Sequence, residues 1–166
     1  MKPILILILL SLQTLCMAQK ILSDRVQPIS GNRQIITSMV PVFKMKALQI
    51  AAMAELTKTD SIYTIAFYQQ DIGIVVRKEE DTTPLMCTLL LDNGKKLTGR
   101  YSMMSQGMGM MIFSYIFSPN DFREIAHSNV SAYSVSMPGL GTGEYALEKR
   151  YKESFASVAN LILNKM

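Results

Sequence analysis

Leu85-Met-Cys-Thr-Leu-Leu-Leu91, the turn Asp92-Asn93-Gly94, Lys95 to Tyr101, a Met- and Gly-rich passage and Met111-Ile-Phe-Ser-Tyr-Ile-Phe117 decide how this chain folds. Asp92-Asn93-Gly94 supplies residues that tolerate the positive φ of a tight hairpin. It joins an apolar run to a partner, Lys96 to Ser102, with one polar face. Leu85 to Leu91 is apolar on both faces, which predicts a strand in mid-sheet covered on both sides. In the last segment Met111, Phe113, Tyr115 and Phe117 alternate with Ile112, Ser114 and Ile116, the period-two signature of a second core strand. Met103 to Met110 reads as the crossing between the hairpin and that strand.

Upstream, Tyr63, Ile65 and Phe67 alternate with Thr64 and Ala66 as a half-buried strand does, and Ile74-Val-Val76 begins another. Gln34 to Phe43 is rich in Ile, Val and Thr but holds Pro41, which predicts an edge strand or a strand with a break. Ala47 to Lys58 contains good helix formers yet runs directly into a turn at Thr59-Asp60. Its apolar spacing fits either period, and a strand pairing with the next β-rich run is favoured. Residues 19–33 lack a period and include Pro28, Gly31 and Asn32, as a lead-in ending in a short strand does.

Downstream, Ser118-Pro119-Asn120-Asp121 carries a helix start: serine caps, proline fits the first helical position, and Asp121 complements the free amides of the first turn. Phe122, Ile125 and Ala126 fall on one face, which gives a short helix over 119–127. Val130 to Met137 is the expected last strand. From Tyr145 to Asn164, Leu147, Tyr151, Phe155, Val158 and Ile162 recur at intervals of four and three, the stripe of an amphipathic helix. The expected class is therefore α+β: a mostly antiparallel β-sheet of six to eight strands, a short helix near 119–127 and a C-terminal amphipathic helix packed on the sheet.

The N-terminus reads as an export signal. Lys2 is the charged start, Pro3 to Leu12 the apolar run, and Cys16-Met17-Ala18 a small-residue cleavage site before Gln19. An apolar run of about ten residues falls short of a membrane-spanning helix, so an uncleaved anchor is the lesser alternative. A lipoprotein anchored at Cys16 is disfavoured by Leu15, where a small residue belongs. The expected organisation is a signal peptide over 1–18, a lead-in over 19–33 and one β-rich domain over 34–166, in a chain exported to the periplasm or the exterior. Cys87 is then the sole cysteine, so no internal disulfide forms; in its apolar strand it reads as a buried, inert thiol.

Lys2 is one of 17 basic residues, which leaves 16 against 13 acidic ones and a net charge of +3. These are scattered as singles and pairs such as Lys44, Lys46 and Lys95-Lys96, not as the stripe that tracks a phosphate backbone. Nucleic acid is not an expected partner. The acidic patch Glu79-Glu80-Asp81 lacks the spaced ligands of a calcium loop and reads as a solvated turn.

Chemistry has few footholds. Met103, Met104, Met108 and Met110, with Met111 beside them, offer the thioether sulfurs that bind Cu(I), and Gly107 and Gly109 would let the backbone fold around an ion. The competing reading is packing or an adaptable surface, for which methionine is equally suited. Gly139-Leu140-Gly141-Thr142-Gly143 sits between a strand and a helix, where a phosphate loop would be. It lacks the required spacing and is followed by Glu144, so a connector is expected. His127 is the only histidine; it fits as a C-terminal partner of the short helix's dipole better than as a general base. Tyr63, Tyr68, Tyr101, Tyr115 and Tyr133 suit either an aromatic binding face or the core boundary, the second being favoured. No catalytic residue and no cofactor motif stands out, and the chain leans away from being an enzyme.

Leu89-x-Leu91-Asp-Asn-Gly94, Phe113-x-Tyr115-x-Phe117-Ser-Pro119-x-Asp121-Phe122 and the C-terminal helix together resemble a recurring type of small exported bacterial protein of unknown function, Bacteroidetes-like in a leader that ends Ala-Gln. The resemblance covers roughly residues 85–165. It implies a signal peptide, a strand-rich body and a helix entered through a capped turn, and it brings no catalytic residue. The functional expectation is a non-catalytic exported module that binds a protein or cell-envelope partner through a sheet face or edge, touching the membrane only during export. The alternatives are soft-metal (copper) binding through Met103–Met111 and an enzyme with a carboxylate-based site. Oligomeric state is left open.

Overall fold

A computed structural model describes residues 19–45, 50–70, 84–107, 110–137, 141–147 and 149–165. Among these residues, ten strands and two helices occur in the order β1 (Ile21–Val26), β2 (Arg33–Thr37), β3 (Val40–Met45), β4 (Ile50–Thr59), β5 (Ile62–Gln70), β6 (Met86–Leu91), β7 (Lys96–Gly107), β8 (Met110–Phe117), α1 (Pro119–His127), β9 (Val130–Met137), β10 (Gly141–Ala146) and α2 (Lys149–Leu163). All ten strands belong to one sheet, in the order β1-β2-β4-β5-β8-β7-β6-β9-β10 with β3 also on β4, and every pairing is antiparallel. The α+β class is as expected, but the strand count is ten rather than six to eight. The expected signal peptide, the run Ile74–Val76 and the acidic patch lie outside the described residues.

Local chemistry accounts for the elements. Gly94 takes a φ of 83°, and the Lys95 amide donates to Asn93 Oδ1 at 2.9 Å, which closes the β6–β7 hairpin. Ser118 caps α1 by accepting from the Asp121 amide at 3.1 Å, while the Asp121 carboxylate accepts from the Ser118 amide at 3.2 Å. This reciprocal pair satisfies two otherwise orphaned donors. Of the segment Ala47–Lys58, the described part is strand: β4 runs from Ile50 and pairs with β5 over eight residue pairs, from Ala52↔Gln69 to Thr59↔Ile62. The segment around Pro41 is broken as expected. β2 and β3 lie end to end along β4, and at the break the Thr37 hydroxyl donates to Leu56 C=O (2.9 Å) and accepts from Leu56 N–H (3.3 Å). A side chain thus replaces the missing rung.

Other expectations need correction. Residues 19–33 contribute β1 as an edge strand. Met103 to Gly107 is no crossing but the second half of β7, continued past a bulge between Tyr101 and Met103. Gly141-Thr-Gly143 belongs to β10, so Val130–Met137 is not the last strand, and α2 starts at Lys149 because Tyr145 and Ala146 still pair with Tyr133 and Ala132. β6 is covered on one face only: Cys87, Leu89 and Leu91 are buried, Thr88 and Leu90 half-buried, and Met86 exposed.

The sheet is curled around its core. From β5 to β9 there are four strand spacings, about 19 Å on a flat sheet, yet the rings of Phe67 and Tyr133 stack with centroids 5.1 Å apart. The Tyr115 hydroxyl on β8 donates to Ser136 C=O on β9 at 2.8 Å, across three strand spacings. On the concave side lie Leu56, Ile65, Phe113, Phe117, Leu89 and Leu97, with Phe122 and Ile125 of α1 and Phe155, Val158 and Ile162 of α2. α2 touches β9 on one flank and β2, β3 and β4 on the other. It meets α1 through Asn160, whose side-chain amide donates to Ala126 C=O at 2.8 Å. Phe122 packs on Tyr63 at 4.8 Å between centroids.

Replacing Thr37 with Val keeps the shape but leaves both Leu56 backbone groups unpaired in a buried position. An unmade buried bond costs about 1–3 kcal/mol, so Thr37→Val is expected to lower the unfolding free energy by that amount, read as a lower urea midpoint at unchanged m-value. A loss under about 0.5 kcal/mol, the low end of a net hydrogen bond, would mean that the hydroxyl does not carry the rung.

Candidate groove on the outer face

Because strands alternate, each inward row of large side chains implies an outward row. On β9 the inward residues are Val130, Tyr133 and Val135, and the outward ones are small: Ala132, Ser134 and Ser136. The register sets Leu90, Ala132 and Ala146 side by side with Lys96, and Thr88, Ser134 and Glu144 in the next row. Short side chains in the middle of two rows leave a groove of about 360 Å³, lined by Thr88, Leu90, Lys96, Ala132, Ser134, Glu144 and Ala146 with Tyr133 and Tyr145. Its size is that of a small ligand site. Lys96 on β7 and Glu144 on β10 stand at opposite walls, three strands apart in the sheet order and in adjacent rows. Beyond Glu144, Ser136 and Thr142 share a hydroxyl–hydroxyl bond of 2.9 Å. Methyl groups, hydroxyls and one charge of each sign suit binding an amphiphilic chain; no nucleophile–base pair is among the lining residues.

A second polar feature lies on the same face between β4 and β5. Glu55 is half-buried and bonded to the Tyr68 hydroxyl; burial raises its carboxyl above the usual range, partly offset by the bonds from Tyr68 and Thr57. Burial, with the Glu55 charge and bond, pushes the Tyr68 phenol up to about 12.

Of the methionines expected as metal ligands, the described ones lie apart from one another. Met103 pairs with Ser114 of the outward row and Met104 with Phe113 of the inward row, so adjacent residues point to opposite faces. Both are exposed. Met110 lies opposite Gly107 and Gln70, four residues along β8 from Ser114, or about 13 Å. Met111 is buried in the core, and Met108 is outside the described residues. Among the described residues no three His, Cys, Asp or Glu side chains are grouped to hold a metal ion, and no helix is long and apolar enough to cross a membrane.

The remaining candidates take structural places. Cys87 is fully buried, and burial pushes its thiol well above the usual range. His127 is exposed in the last turn of α1. The tyrosines share no exposed face: Tyr63, Tyr115 and Tyr133 are buried, Tyr101 is half-buried against Tyr115 on the inner side, and Tyr68 alone points outward. Glu55, Tyr68 and the groove carry no motif by which the chain announces them, although the small-large alternation of Ala132-Tyr-Ser-Val-Ser136 holds the signal for the groove. Comparison with protein-family models, curated proteins and solved structures finds no match for this chain.

A carboxyl whose value is raised on folding binds its proton more tightly in the native state, so its contribution falls as pH rises through the window between the unfolded and folded values. Glu55→Gln is therefore expected to raise the melting temperature at pH 7, with the gain shrinking as pH falls well below the ordinary carboxyl value of 4.5, where the group is protonated in both states. A variant less stable than the parent at pH 7, with the deficit vanishing in acid, would reverse the sign.

Proposed function

We propose that the protein is a non-catalytic exported module that binds a protein or cell-envelope partner through the outer face of its sheet. The observation that carries this reading is the groove over β6, β9 and β10, whose floor is of small side chains, methyl groups and hydroxyls, and whose walls are charged. Half-buried Leu90, Ile112 and Ile116 and exposed Met86 and Met103 extend the apolar character across the same face. The concave face, by contrast, is filled by aromatic rings and the two helices, and what fills a core does not present itself to a partner. Export rests on the leader Lys2 to Ala18.

Leu90 points outward and is only half-buried, so Leu90→Arg fills the groove without entering the core. Capture of a partner from envelope extract by the tagged protein is expected to fall by about tenfold or more in this variant, the loss typical of a central contact. The variant should keep the parent's circular dichroism and melting temperature. Capture unaffected by Leu90→Arg would end the proposal for this face.

A further inference from the structure

The two end strands of the sheet, β1 and β10, are built differently. β1 is guarded: a register shift interrupts it between Ile21 and Ser23, Asp24 and Arg25 are exposed, and Asp24 is held by Arg33 in a two-pronged ion pair of 2.9 Å. Bulges and charges of this kind keep an edge from pairing with other chains. β10 has no such register shift and, among the described residues, no such ion pair. Its register on β9 is unbroken from Gly141↔Met137 to Ala146↔Ala132, and its one charged residue is Glu144.

The hydrogen-bond phase says what that edge offers. Just past β10, the Leu147 amide donates to Ser131 C=O at 2.9 Å, so Leu147 faces β9. In an antiparallel pair the residues that bond to the neighbour alternate with those that do not. Tyr145, Gly143 and Gly141 therefore face β9, and Thr142, Glu144 and Ala146 direct their N–H and C=O groups to the other edge, which pairs with no strand among the described residues. These three are exposed, and two of them, Glu144 and Ala146, also line the groove. A row of donors and acceptors repeating every second residue, next to a groove for alternate side chains, is complementary to an extended polypeptide backbone.

We propose that the free edge of β10 accepts an extended segment of another protein as an added strand, with a basic side chain opposite Glu144. This rests on the partner-binding reading and specifies the partner's chemistry. A second copy of the chain fits less well. Pairing β10 with itself over all three outward residues sets Thr142 opposite Ala146 and Glu144 opposite Glu144, and like charges directly across a ladder repel. A lysine or arginine there turns the same contact favourable.

Two blocked peptides, acetyl-Thr-Val-Lys-Val-Thr-Val-amide and its Lys→Glu counterpart, titrated into the ¹⁵N-labelled protein provide the test. The lysine peptide is expected to shift the amide signals of Thr142, Glu144 and Ala146 and to slow their hydrogen exchange. It should bind about threefold more tightly than the glutamate peptide, as one cross-strand charge pair allows. Glu144→Lys should invert that preference. Ala146→Pro, which removes an outward amide while sparing the β9 ladder, should weaken both peptides. Shifts confined to Thr88 and Ser134, or an equal response to both peptides that Glu144→Lys leaves unchanged, would overturn strand addition. So would a concentration-dependent dimer protecting the same amides without peptide. If neither peptide binds while envelope capture still depends on Leu90, this inference fails and the outer-face reading stands.

Discussion

The hydrogen bond from the Tyr115 hydroxyl to the Ser136 carbonyl spans the hollow of the sheet, and the fold depends on the curvature that makes it possible. A flat sheet would hold β8 and β9 about 14 Å apart. Curling brings them within reach of one side chain and stacks Phe67 on Tyr133 and Tyr133 on Tyr145. Burial raises the Tyr115 and Tyr133 phenols well above their usual value. Irregularities recur through the sheet: the Tyr101/Met103 bulge in β7, the shift at Leu90/Leu91 between β6 and β9, and the Pro41/Phe43 shift in β3. Each adds local twist. Gly99 contributes in another way: any Cβ there would meet the Phe117 ring, so the ring packs this closely on the strand only because the position is glycine.

Elements whose signal is local were legible in the chain. Met111 to Phe117 alternates strictly, Asp92-Asn93-Gly94 forms the turn its residues favour, and Ser118 to Asp121 forms the reciprocal cap. Elements that depend on distant partners were not. β10 contains Gly141 and Gly143, which read as a connector. In the fold the ring of Tyr145 lies over Gly143, where a Cβ would meet it, and an aromatic side chain covering a strand glycine stabilises an edge that propensity alone does not. β1 was obscured because an edge strand with Ser23, Asp24 and Arg25 lacks an apolar row. Met103 to Gly107 was obscured because the bulge at Tyr101 resets the alternation in mid-strand, so the period-two pattern does not carry across it.

Of the candidate site, the methionine cluster was conspicuous and the groove was not. Composition registers that five methionines stand close in sequence, but a strand sends neighbours to opposite faces, and Met103 and Met104 are separated by the backbone that joins them. The groove arises instead from residues on four strands: Leu90, Lys96, Ala132 and Glu144 belong to β6, β7, β9 and β10. Their proximity is a product of strand order, and the long connection from β8 through α1 to β9 places β9 beside β6 rather than beside β8. No single stretch of sequence contains that fact.

The contrast between the two sheet edges turns on the same division of faces. An edge strand must satisfy its inner neighbour and remain soluble, and a lysine, a proline or a bulge achieves both at little cost to the core. β1 uses such devices although it contributes only Ile21 to the packing around the core. β10 contributes Tyr145, stacked on Tyr133, so its strand must remain regular for that ring to reach the interior. A bulge in β10 would turn Tyr145 outward, since a one-residue slip exchanges the two faces. The regularity that anchors the aromatic row therefore leaves the backbone of Thr142, Glu144 and Ala146 in pairing geometry, and Glu144 is the charged side chain available to select what pairs there.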